Sequence, residues 1–268
     1  MKFALINIWL SEKLPEYFDF FCKSCELSQD NFDWYIFTNL TKVKKQIRKN
    51  IFLMPYSWQE MFDEFDIKKK NPDLNLLRIW PKNGWPYRML LYKRKIWDDY
   101  DFLGTFDIDV IFGNLMDFLP KNPFSYGMIT PHSGRMTPSK EMRNCAPFCL
   151  YNKSNISSIW EYVETRDDAV DDNYLFARFM KSRCKIATPL NLQPIGDSLP
   201  MGYELNGKKM IDFQSIWKDG EVFVEGIRGG FFHLLPYKEY QKFKIKKEMI
   251  ENSIWSISKY GIRGYFKI

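Results

Sequence analysis

The sequence predicts an α/β fold, a mostly parallel sheet flanked by helices, and three observations lead there. Lys2 to Trp9 is a continuous apolar run, as a strand buried on both faces requires. Pro15 then opens a helical pattern with Tyr17, Phe18, Phe21, Cys22 and Cys25 on one face, and the apolar runs DWYIFTN and NIFLMP follow. Strand, helix, strand in that order implies parallel pairing, and a further apolar strand, DFLGTFD, stands mid-chain. In such sheets ligands bind beyond the carboxyl ends of the strands, which nominates Thr38 and Asn39 as pocket residues.

The remaining elements follow from local pattern. Trp58 to Asn83 is charged and irregular with a helix at its start, and Arg88 to Asp99 reads as an amphipathic helix. Strands are expected near Tyr126–Thr130, Phe148–Tyr151, Cys184–Ala187, Glu221–Val224 and Gly230–Leu235, and helices near Ile156–Val163 and Asn173–Lys181. With no repeat and no linker, residues 1–237 read as one domain and 238–268 as a basic, aromatic, partly helical extension packed on it.

Composition narrows the class. In 268 residues the hydrophobic fraction is 45% and the charged fraction 27%, which excludes a disordered chain, a collagen-like repeat and a membrane bundle. The 23 Phe, 15 Tyr and 9 Trp make an aromatic core, with rings to spare for a groove that takes a flat or sugar-like ligand. A net charge of +6 biases the chain towards anionic partners such as nucleotide phosphates. The short lysine runs (Lys42 to Lys49, Lys68 to Lys70, Lys242 to Lys247) read as solvated faces, and no nucleic-acid reader surrounds them.

Five cysteines cannot all pair. Cys22 and Cys25 invite a zinc reading, as do Cys145 and Cys149, but the first pair lies in an apolar helical stretch where buried free thiols are common. The usage suits a reducing compartment. The N-terminal run turns charged at Glu12 and lacks a small-residue cleavage site, so it reads as a strand and the expected location is cytoplasmic. The tail beyond Tyr237 reads first as an element with a solvated basic side. A second reading rests it peripherally on a membrane surface.

The sharpest chemical signal is Asp107-Ile108-Asp109, between an apolar strand and the run VIF. Aspartates at i and i+2 on an extended segment aim both carboxylates the same way, and hard oxygen donors suit Mg²⁺ or Mn²⁺ on substrate phosphates. Acidic residues also end strands as turn or cap residues; the position after a buried mid-chain strand favours the metal. Asp171 and Asp172 open a helix pattern, where an N-terminal cap explains one of them.

The order of PEYFDFFCKSC, a strand ending IFTN, a basic helix and DYDFLGTFDIDVIFGNL resembles glycosyltransferases of the GT-A fold, which are Rossmann-like. It is most similar to a bacterial and viral group whose motif reads Asp-x-Asp-hydrophobic-x-Phe-Gly, strongly between Pro86 and Leu115 and loosely elsewhere. The resemblance implies transfer of a sugar from a nucleotide-diphosphate donor, most commonly UDP, to a glycan or other hydroxyl acceptor. It implies Asp109 as direct ligand of Mn²⁺ or Mg²⁺, Asp107 nearer the ribose and metal, His233 as third ligand and Lys238 on the diphosphate. It also implies basic residues at Arg88 and Lys93 beside the donor, and an acidic residue, Asp172 before Asp171, facing the acceptor. Leu91 stands where the group tends to carry an acid. His132, in a loop rich in turn residues, is equally a donor or acceptor contact or an exposed side chain.

Two other readings compete. TFDIDVIF and VDDN approximate the motifs of a haloacid-dehalogenase phosphatase, although about a hundred residues precede the first of them here. A non-catalytic sugar- or nucleotide-binding protein on the same fold is the other.

Overall fold

A computed structural model describes residues 1–11, 13–15, 18–28, 31–65, 88–108, 110–136, 142–144, 148–157, 183–189, 192, 204–205, 208–209, 214–224, 226–233, 254–255, 263–264 and 266–267. The first half runs β1 (Phe3–Trp9), α1 (Phe18–Ser28), β2 (Phe32–Thr38), β3 (Lys45–Arg48), β4 (Ile51–Pro55), α2 (Trp58–Phe65), β5 (Phe102–Phe106) and β6 (Val110–Phe112). Then come β7 (Met128–Ile129), β8 (His132–Met136), β9 (Met142–Asn144), β10 (Phe148–Asn152) and β11 (Ile186–Ala187). The later strands are β12 (Glu204–Leu205), β13 (Lys208–Lys209), β14 (Gln214–Lys218), β15 (Glu221–Val224), β16 (Ile227–Gly229) and β17 (Phe231–His233). Short strands β18 (Ile254–Trp255), β19 (Arg263–Gly264) and β20 (Phe266–Lys267) end the series.

Eight strands form the main sheet in the order β11-β7-β10-β5-β1-β2-β4-β3. Its centre, β5-β1-β2-β4, is parallel, and only β3 and β10 run against the rest. This is the expected mixed α/β architecture with a mostly parallel sheet. Alternate residues of the central strands feed two cores. Phe3, Leu5, Trp34 and Ile36 pack with Phe21, Cys22 and Cys25 of α1, whereas Ala4, Ile6, Ile8, Tyr35 and Phe37 pack with Leu91, Tyr92 and Trp97. In α1 the buried Phe18, Phe21, Cys22 and Cys25 fall at i, i+3, i+4 and i+7, the spacing of one helical face.

Two expectations need correction. Arg88 to Asp99 is not one amphipathic helix but two 3-10 segments, Arg88–Lys93 and Lys95–Trp97, parted by Arg94 in an extended conformation (φ −68°, ψ 137°). On a continuous α-helix Trp97 would face away from Arg88, Leu91 and Tyr92. The break turns its ring inward, where it is 1% exposed and donates to the Leu91 carbonyl at 2.9 Å. His132 is not in an irregular loop but opens β8, which pairs with β9. The described tail residues form short strands, in which β18 pairs with β20 and β19 lies beside β14; the rest of the expected partly helical extension lies outside the described residues. Aromatic and β-branched residues such as Ile254, Trp255 and Phe266 favour the strand state.

The lysine run from Lys42 carries an edge strand, β3, that its charge concealed; Lys44, Lys45, Arg48 and Lys49 are exposed along it. Charged side chains on an unpaired sheet edge discourage pairing with another chain. The expected helices over Ile156–Val163 and Asn173–Lys181 lie largely or wholly outside the described residues. No helix among the described residues is long and apolar enough to cross a membrane.

Gly104 makes close packing of β5 on β10 possible. A Cβ there would stand 2.4 Å from the Cys149 carbonyl oxygen and 2.9 Å from Leu150 Cδ2. Gly104→Ala is expected to destabilise the protein by about 1–3 kcal/mol through overpacking, read as a lower denaturation midpoint at unchanged slope. An unchanged midpoint would contradict this packing.

Candidate active site

The sheet itself creates the crevice. From β1 the chain moves to one side, through β2 to β4, and then returns to place β5 on the other side of β1. Strand order reverses between β1 and β5, the place where open α/β sheets bind ligands. Pairing of β1 with β2 continues to Trp9 opposite Thr38, but pairing with β5 stops at Ile6 opposite Thr105. Beyond that point the two strands part, and Asp107 follows directly from the end of β5.

Buried polar side chains fill the parting. The Arg88 guanidinium is wholly enclosed, and the Asp107 side chain is 6% exposed. Arg88 Nη1 donates to Asp107 Oδ1 at 2.9 Å and to the Phe106 carbonyl at 3.0 Å, so both hydrogens of one nitrogen serve consecutive residues. Asn7 Nδ2, from β1, donates to the same Phe106 carbonyl at 2.7 Å. A carboxylate so far from water needs a charged partner, and Arg88 supplies it.

The segment after Asp109 is clamped on three sides. Ser24 of α1 accepts from the Phe112 amide at 3.1 Å and donates to the Phe21 carbonyl at 2.7 Å. Trp217 Nε1 donates to the Phe112 carbonyl at 2.8 Å. Strand β17 pairs antiparallel with β6, placing His233 opposite Val110, the residue that follows Asp109. Gly113 closes the joint: its amide donates to the Gly230 carbonyl at 2.8 Å, and a Cβ there would lie 3.0 Å from both Gly229 O and Val222 N. The glycine that ends the Asp-x-Asp motif is therefore explained by backbone contact.

The predicted residues divide as follows. Thr38 is buried at the carboxyl end of β2, where its hydroxyl accepts from the Leu40 amide at 3.2 Å and holds a turn. Asn39 is exposed beside it and accepts from the Ser11 amide at 3.0 Å, tying together the loops after β1 and β2. Arg88 lies at the crevice with its guanidinium buried against Asp107. Lys93 is exposed at the end of its 3-10 segment. His233 is placed by its backbone next to the Asp107–Asp109 segment. Asp109, Asp171, Asp172 and Lys238 lie outside the described residues.

Two residues escaped the sequence reading. Asn7 is one, and its signal was present: a lone amide inside the apolar run FALINIW, at 0% exposure. Arg94 is the other. Its guanidinium lies 5.3 Å from the ring centres of both Phe37 and Tyr56, at the carboxyl side of β2 and β4. No spacing rule marks it, because it sits at the break that the helical pattern hides.

Among the described residues, Cys22, Cys25, Cys149 and Cys184 are free thiols. Burial pushes the Cys22 thiol up to about 12 and that of Cys25 well above the usual range, so both are apolar filling of the α1 core rather than thiolates. Among the described residues no three His, Cys, Asp or Glu side chains cluster.

The pair makes a stability prediction. Arg88→Met should destabilise the fold by about 3–5 kcal/mol, because it removes a buried guanidinium paired with a buried carboxylate. Adding Asp107→Leu should recover much of the loss. Urea unfolding of the three variants checks this, and additive losses would contradict it.

The fold is similar to solved glycosyltransferases at low identity. One is a glycosyltransferase involved in glycosylation of the major capsid of PBCV-1, with 10% identity and a TM-score of 0.42, covering 90% of this chain and 97% of that one. Another is the galactosyltransferase LgtC, in complex with donor and acceptor sugar analogs, with 15% identity and a TM-score of 0.44, covering 70% of this chain and 73% of that one. No curated protein matches the chain. A profile described as a family of unknown function (DUF6625) matches residues 5–259, and the chain belongs to that family.

Proposed function

We propose that this protein transfers a sugar from a nucleotide-diphosphate donor, a UDP-sugar, to a hydroxyl of a glycan or similar acceptor, with a divalent cation at the Asp107–Asp109 segment. The observation that carries the reading is the place of Asp107: a buried, guanidinium-paired carboxylate at the carboxyl end of β5, where the strand order reverses.

The donor set fits Mn²⁺, and Mg²⁺ nearly as well. Two aspartates offer hard oxygens, and the pairing of His233 with Val110 brings an imidazole-bearing residue to the same segment. Asp109 is the direct ligand in this reading, and Asp107 the member held in place by Arg88. When bound, the cation supplies positive charge where the leaving diphosphate becomes more negative. The chain's own residues do the rest. Arg88 and Asn7 hold the Phe106–Asp107 peptide, Thr38 and Asn39 shape the rim towards the nucleoside, and Lys238 adds charge at the diphosphate. Asp172, or Asp171, meets the acceptor hydroxyl and takes its proton in an inverting transfer.

The pairing also bears on the phosphatase reading. There Asp107 would attack phosphorus, yet a carboxylate that gives an oxygen to a buried guanidinium is a weakened nucleophile.

Nucleotide release from UDP-, GDP- and CDP-sugars tests the proposal. Turnover of a UDP-sugar with Mn²⁺ is expected, abolished by chelation and reduced about 100-fold or more in Asp109→Ala at unchanged melting temperature. Turnover of p-nitrophenyl phosphate alone would favour the phosphatase. Nucleotide binding with no turnover of any substrate would favour a binding protein.

A further inference from the structure

We infer that Asn7 is a positioning residue of the crevice: its buried amide, acting through the Phe106 carbonyl, sets the peptide that carries Asp107 and so acts in concert with Arg88. The functional part of this inference rests on the glycosyl-transfer reading above; the structural part does not.

Ladder pairing between β1 and β5 ends at Ile6 opposite Thr105, one residue before Asn7 and Phe106. The Phe106 carbonyl would then be a buried acceptor at the point where the strands separate, a costly position if unfilled. Asn7 Nδ2 fills it at 2.7 Å and Arg88 Nη1 at 3.0 Å, which uses both lone pairs. Because the same Nη1 also donates to Asp107 Oδ1 at 2.9 Å, the run from Asn7 to Phe106 O to Arg88 to Asp107 is continuous. Moving the Phe106 carbonyl therefore moves the guanidinium that orients the carboxylate.

A second observation concerns what the buried amide costs. Asn7 is 0% exposed on a strand whose other residues through Ile8 are apolar, and among the described residues its buried Oδ1 has no hydrogen-bond partner. A leucine there would spare the fold that unpaired acceptor, so the amide is kept at a cost. What it contributes in return is the donor aimed at Phe106 O. Charge or shape elsewhere on β1 does not supply this.

The same sheet contains a matched control. Asn50 Nδ2 donates to the Phe32 carbonyl at 3.0 Å, also buried, but at the amino end of β2, remote from Asp107 in the sheet. Both amides bridge a side chain to a strand carbonyl, and the carbonyl that Asn7 meets also accepts from Arg88.

The experiment compares Asn7→Leu with Asn50→Leu, each alone and combined with Arg88→Met; the corresponding alanine variants serve if a leucine variant does not fold. Urea unfolding reads the coupling. The Asn7 and Arg88 changes should be non-additive by tenfold or more in the unfolding equilibrium constant, and the Asn50 and Arg88 changes additive. Additivity in both pairs overturns the inference. In UDP-sugar turnover with Mn²⁺, Asn7→Leu should lower kcat, or raise the Mn²⁺ needed for half-activity, by tenfold or more. Asn50→Leu should do neither. Equal deficits in the two variants assign Asn7 to folding alone and overturn the positioning role. Should the unchanged protein turn over no nucleotide-sugar while the unfolding coupling holds, the link to Asp107 stands and the glycosyl-transfer reading fails.

Discussion

Two parallel strands that share a ladder and then diverge leave their backbone groups without partners, and the centre of this molecule is organised around that difficulty. Between β1 and β5 the ladder stops after Ile6 and Thr105. Asn7 and Arg88 replace it with side-chain bonds that converge on the Phe106 carbonyl, and Arg88 donates as well to Asp107. Arg88 and Asp107 form a buried ion pair, and removing either member takes a charged partner from the other. The 3-10 geometry of Arg88–Lys93 and the extended Arg94 belong to the same solution. They deliver Arg88 to the crevice while turning Trp97 into the core below it.

The crevice is completed from far away in sequence. Trp217 reaches Phe112 across 105 residues, and Asn7 reaches Phe106 across 99. Strand β17 returns late in the chain to lie on β6; Gly113 leaves room for the backbone at Gly229 and Val222, and Gly230 leaves room for Leu192. A site assembled from such distant segments exists only when the whole domain has folded, because no local piece contains both its floor and its wall. Arg228 reinforces the wall at the surface. It pairs with Asp117 and Glu221 and lies over the Phe118 ring, joining β16 and β15 to the turn that follows β6.

Much of this was legible in the residues. The apolar run of β1, the i, i+3, i+4, i+7 face of α1 and the strand ending at Phe106 follow from periodicity alone, because each buries a face that only one secondary structure can present. The place of Asp107 could also be read, since an acidic residue straight after a buried parallel strand lies at the sheet's carboxyl edge. What could not be read was pairing. Arg88 looked like a cation facing an anionic ligand, because sequence does not show that a buried carboxylate nineteen positions on would claim it. Trp97 broke the helical pattern without announcing the turn at Arg94. The edge strand β3 was hidden by lysines that read as mere solvation, and Asn7 was passed over within an apolar run where an amide should have stood out.

The central claim, that the crevice beside Asp107 takes a nucleoside diphosphate together with a divalent cation, is tested most directly by thermal denaturation. UDP, GDP, CDP and ADP would each be added with and without Mn²⁺. The account predicts that UDP and Mn²⁺ together raise the melting temperature, and that neither does so alone to the same degree, because only the folded crevice binds both. Equal melting temperatures under every condition would contradict it.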